Sequence, residues 1–120
     1  MVITPDILRS AYAYLSETPP FNEWNLPDAD DVTFKIIGTR NPYGMCHTFG
    51  GNWDRPRYEI WVSGVSHTQT YTLLATMAHE MVHVHQRHNR INRTKRAHGA
   101  DFRALAKEVC NAHGFDPGQF

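Results

Sequence analysis

The 120-residue sequence has no net charge, its twelve Lys and Arg being matched by twelve Asp and Glu. That balance gives the whole molecule no electrostatic pull toward nucleic acid or an anionic membrane. No stretch approaches the ~20 consecutive apolar residues of a membrane helix, so no membrane partner is expected. The opening residues, MVITPDILRS, lack the basic and hydrophobic regions of a secretory signal. An intracellular setting is therefore expected, in the cytoplasm or, in a eukaryote, the nucleus. Cys46 and Cys110 are the two cysteines, and no CxxC occurs. This excludes a disulfide framework and points to a reducing compartment. Repeats and low-complexity tracts are absent as well. With 41% apolar and 20% charged residues the composition is that of a folded globule. The length suits one domain over 1–120 and a monomer.

Local patterns point to an α+β fold. Thr4 can cap a helix over 4–17, with Pro5 at the first helical position and Ile7, Leu8, Ala11, Tyr12 and Leu15 on one face. Pro19 and Pro20 stop it, and a surface loop is expected from Thr18 to Asp31. Three candidate strands follow, Val32–Ile37, Met45–Phe49 and Tyr58–Val62. The last two, separated by Gly50-Gly51-Asn52, read as an antiparallel hairpin with a longer loop, because Pro56 would disturb an interior strand. The expected sheet is small, three-stranded and mainly antiparallel. A long helix is expected over Thr70–His88, apolar nearly all round through Leu73–Ala78 and therefore central and buried. A last helix should run over Gly99–Ala112 with Phe102, Leu105, Ala106, Val109 and Cys110 inward and Gly114 closing it.

Histidine is what the sequence has in plenty. Of eight, His79, His83, His85 and His88 crowd into ten residues. His79-Glu80-Met81-Val82-His83 has the form H-E-x-x-H. Residues four apart lie one turn above each other on a helix, so both imidazoles can reach one tetrahedral zinc ion at ~2.0–2.1 Å. Glu80, ~100° further round, can touch a water on that ion without ligating it, and zinc lowers such a water's pKa to ~7. On the same wheel the two histidines face away from the apolar stripe, toward a cleft. His85 and His88 lie ~120–180° off and are bystanders. A catalytic site needs a third protein ligand, and His98, where a loop enters the last helix beside Gly99, is the best candidate. The pattern H-E-x-x-H-x-x-G-x-x-H is excluded by Gln86 and Asn89, and Glu108 lies off the inner stripe of its helix.

HEMVH at 79–83 followed by HGADF at 98–102 resembles the SprT-like (Spartan-type) zinc metalloprotease family. The likeness covers most of the chain, from Ile7 to Phe115, although only the His and Glu motifs are sharp. Gly44-Met45-Cys46 ahead of the site and the order helix, sheet, helix, helix are similar too. The resemblance implies a zincin-like minimal metalloprotease domain. In it His79, His83 and His98 match the Zn²⁺ ligands and Glu80 the catalytic glutamate. It also implies hydrolysis of a protein or peptide substrate and, from eukaryotic members, of proteins crosslinked to DNA. Many members add a zinc ribbon with paired CxxC motifs, which this sequence lacks.

DNA contact is an expectation for the segment 87–107, where Arg87, Arg90, Arg93, Lys95, Arg96, Arg103 and Lys107 face one carboxylate, Asp101, for a net +6. Residues 1–34 carry a net −5. Trp24, Trp53 and Trp61 could stack bases but more simply pack, and Cys46 could meet the metal but more simply is a buried thiol. Nothing places His47, His67 or Tyr71 at the site. The expected function is zinc-dependent peptide hydrolysis, with a DNA-binding module holding a structural zinc as the alternative.

Overall fold

The first helix, α1 (Pro5–Ser16), starts where Thr4 Oγ1 accepts the Ile7 amide at 3.2 Å, and buries Leu8, Ala11, Tyr12 and Leu15. The computed structural model describes residues 2–52, 55–67, 69–91 and 96–120, with 49–52 and 55 described by backbone alone. After α1 the connector is more than the expected surface loop. It forms two 3-10 turns, Phe21–Glu23 and Ala29–Asp31, and Phe21 is only 1% exposed. The reason is its aromatic content. Trp24 meets Phe21 edge-on at 5.1 Å and stacks on His85 at 4.1 Å, while the Tyr12 hydroxyl donates to the Pro27 carbonyl at 2.6 Å. The connector is thereby tied to both helices that it crosses.

Strands β1 (Val32–Ile37), β2 (Gly44–Asn52) and β3 (Arg55–Ser63) form one sheet in the order β1-β3-β2. β2 and β3 make the expected antiparallel hairpin, but β1 pairs parallel to β3, from Val32↔Tyr58 to Ile37↔Ser63. The sheet is therefore mixed, not mainly antiparallel. The chain from 38 to 43 carries β2 to the outer edge, and β3 then returns between β2 and β1, a crossover that makes the β1 pairing parallel. The hairpin also runs longer than expected. Pairing continues through Gly51↔Pro56 and Asn52↔Arg55, with a register irregularity between Phe49 and Gly51. Pro56 is compatible with the central strand because the pairing of β3 with β1 begins only at Tyr58, so its missing N–H falls where β3 has a single neighbour.

One face of the sheet alternates inward, with Val32, Phe34, Cys46, Tyr58, Ile60 and Val62 buried. Against it lies α2 (Thr70–His88), which also touches α1 and the last helix, α3 (Ala100–His113). Enclosure on so many sides explains the apolar sequence of its middle, where Met77, Ala78, Met81, Val82 and Val84 are fully buried. α2 closes with Arg90 in the left-handed region (φ 56°) and the Ile91 amide donating to the Gln86 carbonyl at 2.8 Å. That pattern satisfies a carbonyl the helix end would otherwise leave unpaired. No helix among the described residues is long and apolar enough to cross a membrane.

Gly114 ends α3 at φ 76°, with open space where a Cβ would stand. The only cost of a side chain there is the left-handed backbone, so Gly114→Ala should lower unfolding free energy by about 1 kcal/mol in urea titration without changing the slope.

Candidate metal site and its cleft

The four-residue spacing on α2 sets His79 Nε2 and His83 Nε2 3.3 Å apart. The turn before α3 (Gly99 amide to Arg96 carbonyl, 3.3 Å) brings in the third ring, and His98 Nε2 stands 3.1 Å from each of the other two. Three nitrogens bound at ~2.0–2.1 Å to one tetrahedral centre stand ~3.3–3.4 Å apart, so this triangle has the size of one face of such a polyhedron. The chemistry of the donor set fits a cation too. His79 Nδ1–H donates to the Phe120 carbonyl at 2.5 Å, which leaves the lone pair of Nε2 facing the other two rings. Burial, followed by its histidine neighbours, pulls the pKa of His83 down to about 3, and burial also lowers that of His79. Both shifts favour the neutral rings that metal ligation requires. The three histidines can hold a metal ion.

Phe102, one turn into α3, is the plate on which the three rings rest. Its centroid lies 4.9 Å from His79, 4.6 Å from His83 and 4.8 Å from His98. The inward position of Phe102 was readable from helical phase, whereas its contact with all three candidate ligands was not. The Phe120 carbonyl was not readable at all, because any residue offers one.

Glu80, expected beside the site, is 4% exposed, and burial raises its pKa to about 7 against the opposing pull of Arg87. The start of β2 closes over it. A Cβ on Gly44 would stand 3.0 Å from Glu80 Oε2 and 2.8 Å from Thr76 Cγ2, so only glycine permits this approach. His79 and Glu80 share a cleft of about 560 Å³ between β2, α2 and the C-terminal residues. His83 is 9% exposed, while His98 is exposed, so the triangle spans from the protein interior to the surface.

The remaining histidines have structural duties. His67, fully buried, donates from Nδ1 to the Ser63 carbonyl and accepts the Thr76 hydroxyl at Nε2, both at 2.7 Å. It thereby braces the threonine that faces Gly44. His85 packs on Trp24 with its pKa lowered to about 4 by burial, His88 meets the Tyr58 hydroxyl at 3.1 Å, and His47 packs on Trp61. Cys46 is a buried thiol, its pKa pushed up to about 12 by burial, and it is not part of the histidine cluster. Tyr71 lines the cleft, where its hydroxyl accepts the Asp116 amide at 3.0 Å.

Of the expected basic rim, Arg87 turns onto β2 and donates to the Cys46 carbonyl at 2.6 Å. Arg90, Arg96, Arg103 and Lys107 are exposed, and Arg93 and Lys95 lie outside the described residues. Trp24 and Trp61 pack within the protein, Trp61 donating to Glu59 Oε1 at 2.6 Å, and Trp53 lies outside the described residues.

The model of the SprT-like family matches residues 31–118, from the approach to β1 to the turn after α3, and the chain belongs to that family. No curated protein and no solved structure matches it.

A site of three histidines predicts a large loss of metal affinity when His98 is removed. Titrating Zn²⁺ into the metal-free protein should give a one-to-one complex. His98→Ala should weaken it by more than the ~10–100-fold that losing an outer-shell partner costs, with the unfolding midpoint of the metal-free protein little changed because His98 is exposed.

Proposed function

We propose that this SprT-like protein is a zinc-dependent metallopeptidase of zincin-like build, with His79, His83 and His98 as the zinc ligands and Glu80 as the catalytic glutamate. The observation that carries the reading is the Nε2 triangle, one corner of which, His79, lines the same cleft as Glu80. Zinc, when bound, supplies a Lewis acid and makes water a stronger nucleophile near neutral pH. The protein does the rest. The three imidazoles leave one side of the site free, as catalytic zinc sites do and closed structural sites do not. Glu80 takes the proton of the attacking water and delivers it to the departing amine, so one carboxylate serves as base and then as acid. Gly44 keeps the edge strand close enough to exclude bulk water from above that carboxylate.

An extended peptide lying along the free edge of β2 would reach Glu80 and His79 from the cleft. The substrate class is protein or peptide. Exposed Arg96, Arg103 and Lys107 flank His98 on α3 and its approach, which supports DNA-associated or DNA-crosslinked proteins as targets. The cleft shared by His79 and Glu80 favours this reading over a DNA-binding module with a structural zinc.

Glu80→Gln is nearly isosteric and removes the base alone. It should keep zinc content at the wild-type level and lower peptide cleavage by ~10²–10⁴-fold. Undiminished cleavage would remove Glu80 from the chemistry. DNA binding by both proteins, with no cleavage by either, would favour the binding module.

A further inference from the structure

The cleft is larger than a hydrolytic water requires. Its volume of about 560 Å³ lies within the ~300–1,000 Å³ of small-ligand clefts. Beyond His79 and Glu80 its lining brings four aromatic rings, Tyr43, Tyr71, Phe115 and Phe120, together with small Gly44 and Ala75 and polar Thr72, Thr76, Asp116 and Gln119. Tyr43 and Tyr71 remain 56% and 49% exposed, large rings held at a surface rather than in the core.

These rings are braced. Tyr71 is held by the Asp116 amide and lies edge-on to Phe115 at 5.7 Å, while Tyr43 lies edge-on to buried His67 at 5.6 Å. Phe120 sits 6.0 Å from Phe115 and 5.4 Å from His79. A rim already fixed in place loses little side-chain freedom when it binds. Its charges are one-sided as well. Glu80 and Asp116 line the cleft, and no Lys or Arg does so among the described residues. An acidic side chain seated against those rings would lose hydration and face Asp116, with no Lys or Arg among the described lining residues to offset the cost.

Resting on the peptidase reading, we propose that this cleft is a side-chain subsite. It takes a bulky apolar residue, aromatic or long aliphatic, directly flanking the bond cleaved, and it rejects an acidic residue at that position. The occupant's apolar surface leaves water against the four rings, the polar backbone of the peptide stays at the β2 edge, and Ala75 leaves room at the floor. A preference of about 10–100-fold for Phe over Ala is expected, the scale on which apolar pockets discriminate.

The test uses three capped peptides identical but for Phe, Ala or Asp beside the central bond. Each is titrated calorimetrically into zinc-loaded Glu80→Gln protein, and each is offered to wild type for cleavage. The Phe peptide should bind at least ~10-fold tighter than the Ala peptide, and the Asp peptide weakest. Ala75→Met, which fills the floor, should reduce the Phe advantage. Asp116→Asn, which keeps an oxygen for the Gly118 amide, should narrow the gap between Ala and Asp. Equal affinity for all three peptides, or tightest binding of Asp, overturns the subsite. The two readings fail differently. Ordered binding without wild-type cleavage would contradict the peptidase and support the subsite, whereas equal cleavage of all three peptides would support the peptidase and overturn the subsite.

Discussion

Three imidazole nitrogens, each 3.1–3.3 Å from the other two, form an arrangement that neutral histidines do not favour by themselves. With Nδ1 of His79 committed as a donor to the Phe120 carbonyl, its Nε2 has no proton to share, and all three rings converge on one point. A cation at that point satisfies every lone pair at once. Much of the surrounding structure serves to hold this convergence. α2 supplies two rings from successive turns, the approach to α3 supplies the third, and Phe102 supports all of them from the next turn.

The rest of the fold gives the triangle a useful setting. Burying α2 between the sheet, α1 and α3 locks the rotation of the helix about its axis, and so the direction of His79 and His83. The mixed sheet brings the start of β2 over Glu80, an approach that depends on Gly44 having no side chain and on Thr76 being held by His67. The residues after α3 then return to the cleft. There they provide an acceptor for His79 and aromatic lining for the cleft. The proposed ligand orientation and substrate recognition thus draw on the same C-terminal turn.

Elements governed by local chemistry were legible in the sequence. The Thr4 cap, the Pro5 start, the span of α2, the turn at Gly114 and the spacing of His79 and His83 all follow from short-range rules, and the structure agrees with each. His98 was reached by elimination among possible third ligands, and it lies where two residues far from it in sequence require. What was not legible depends on distant packing. The parallel pairing of β1 with β3 comes from the order in which strands are laid down, which residue alternation does not encode. Phe21 and Trp24 look like loop residues until His85 and the core are placed beneath them. Arg87 counts as one of a run of cations, yet its guanidinium is drawn to the Cys46 carbonyl on another element.

X-ray absorption at the zinc edge on the purified, zinc-loaded protein tests the convergence of the three rings most directly. The account predicts a four-coordinate ion with three imidazole nitrogens at ~2.0–2.1 Å and one further light atom from solvent, and no sulfur. A sulfur shell at ~2.3 Å, or only two imidazoles on the ion, would contradict it.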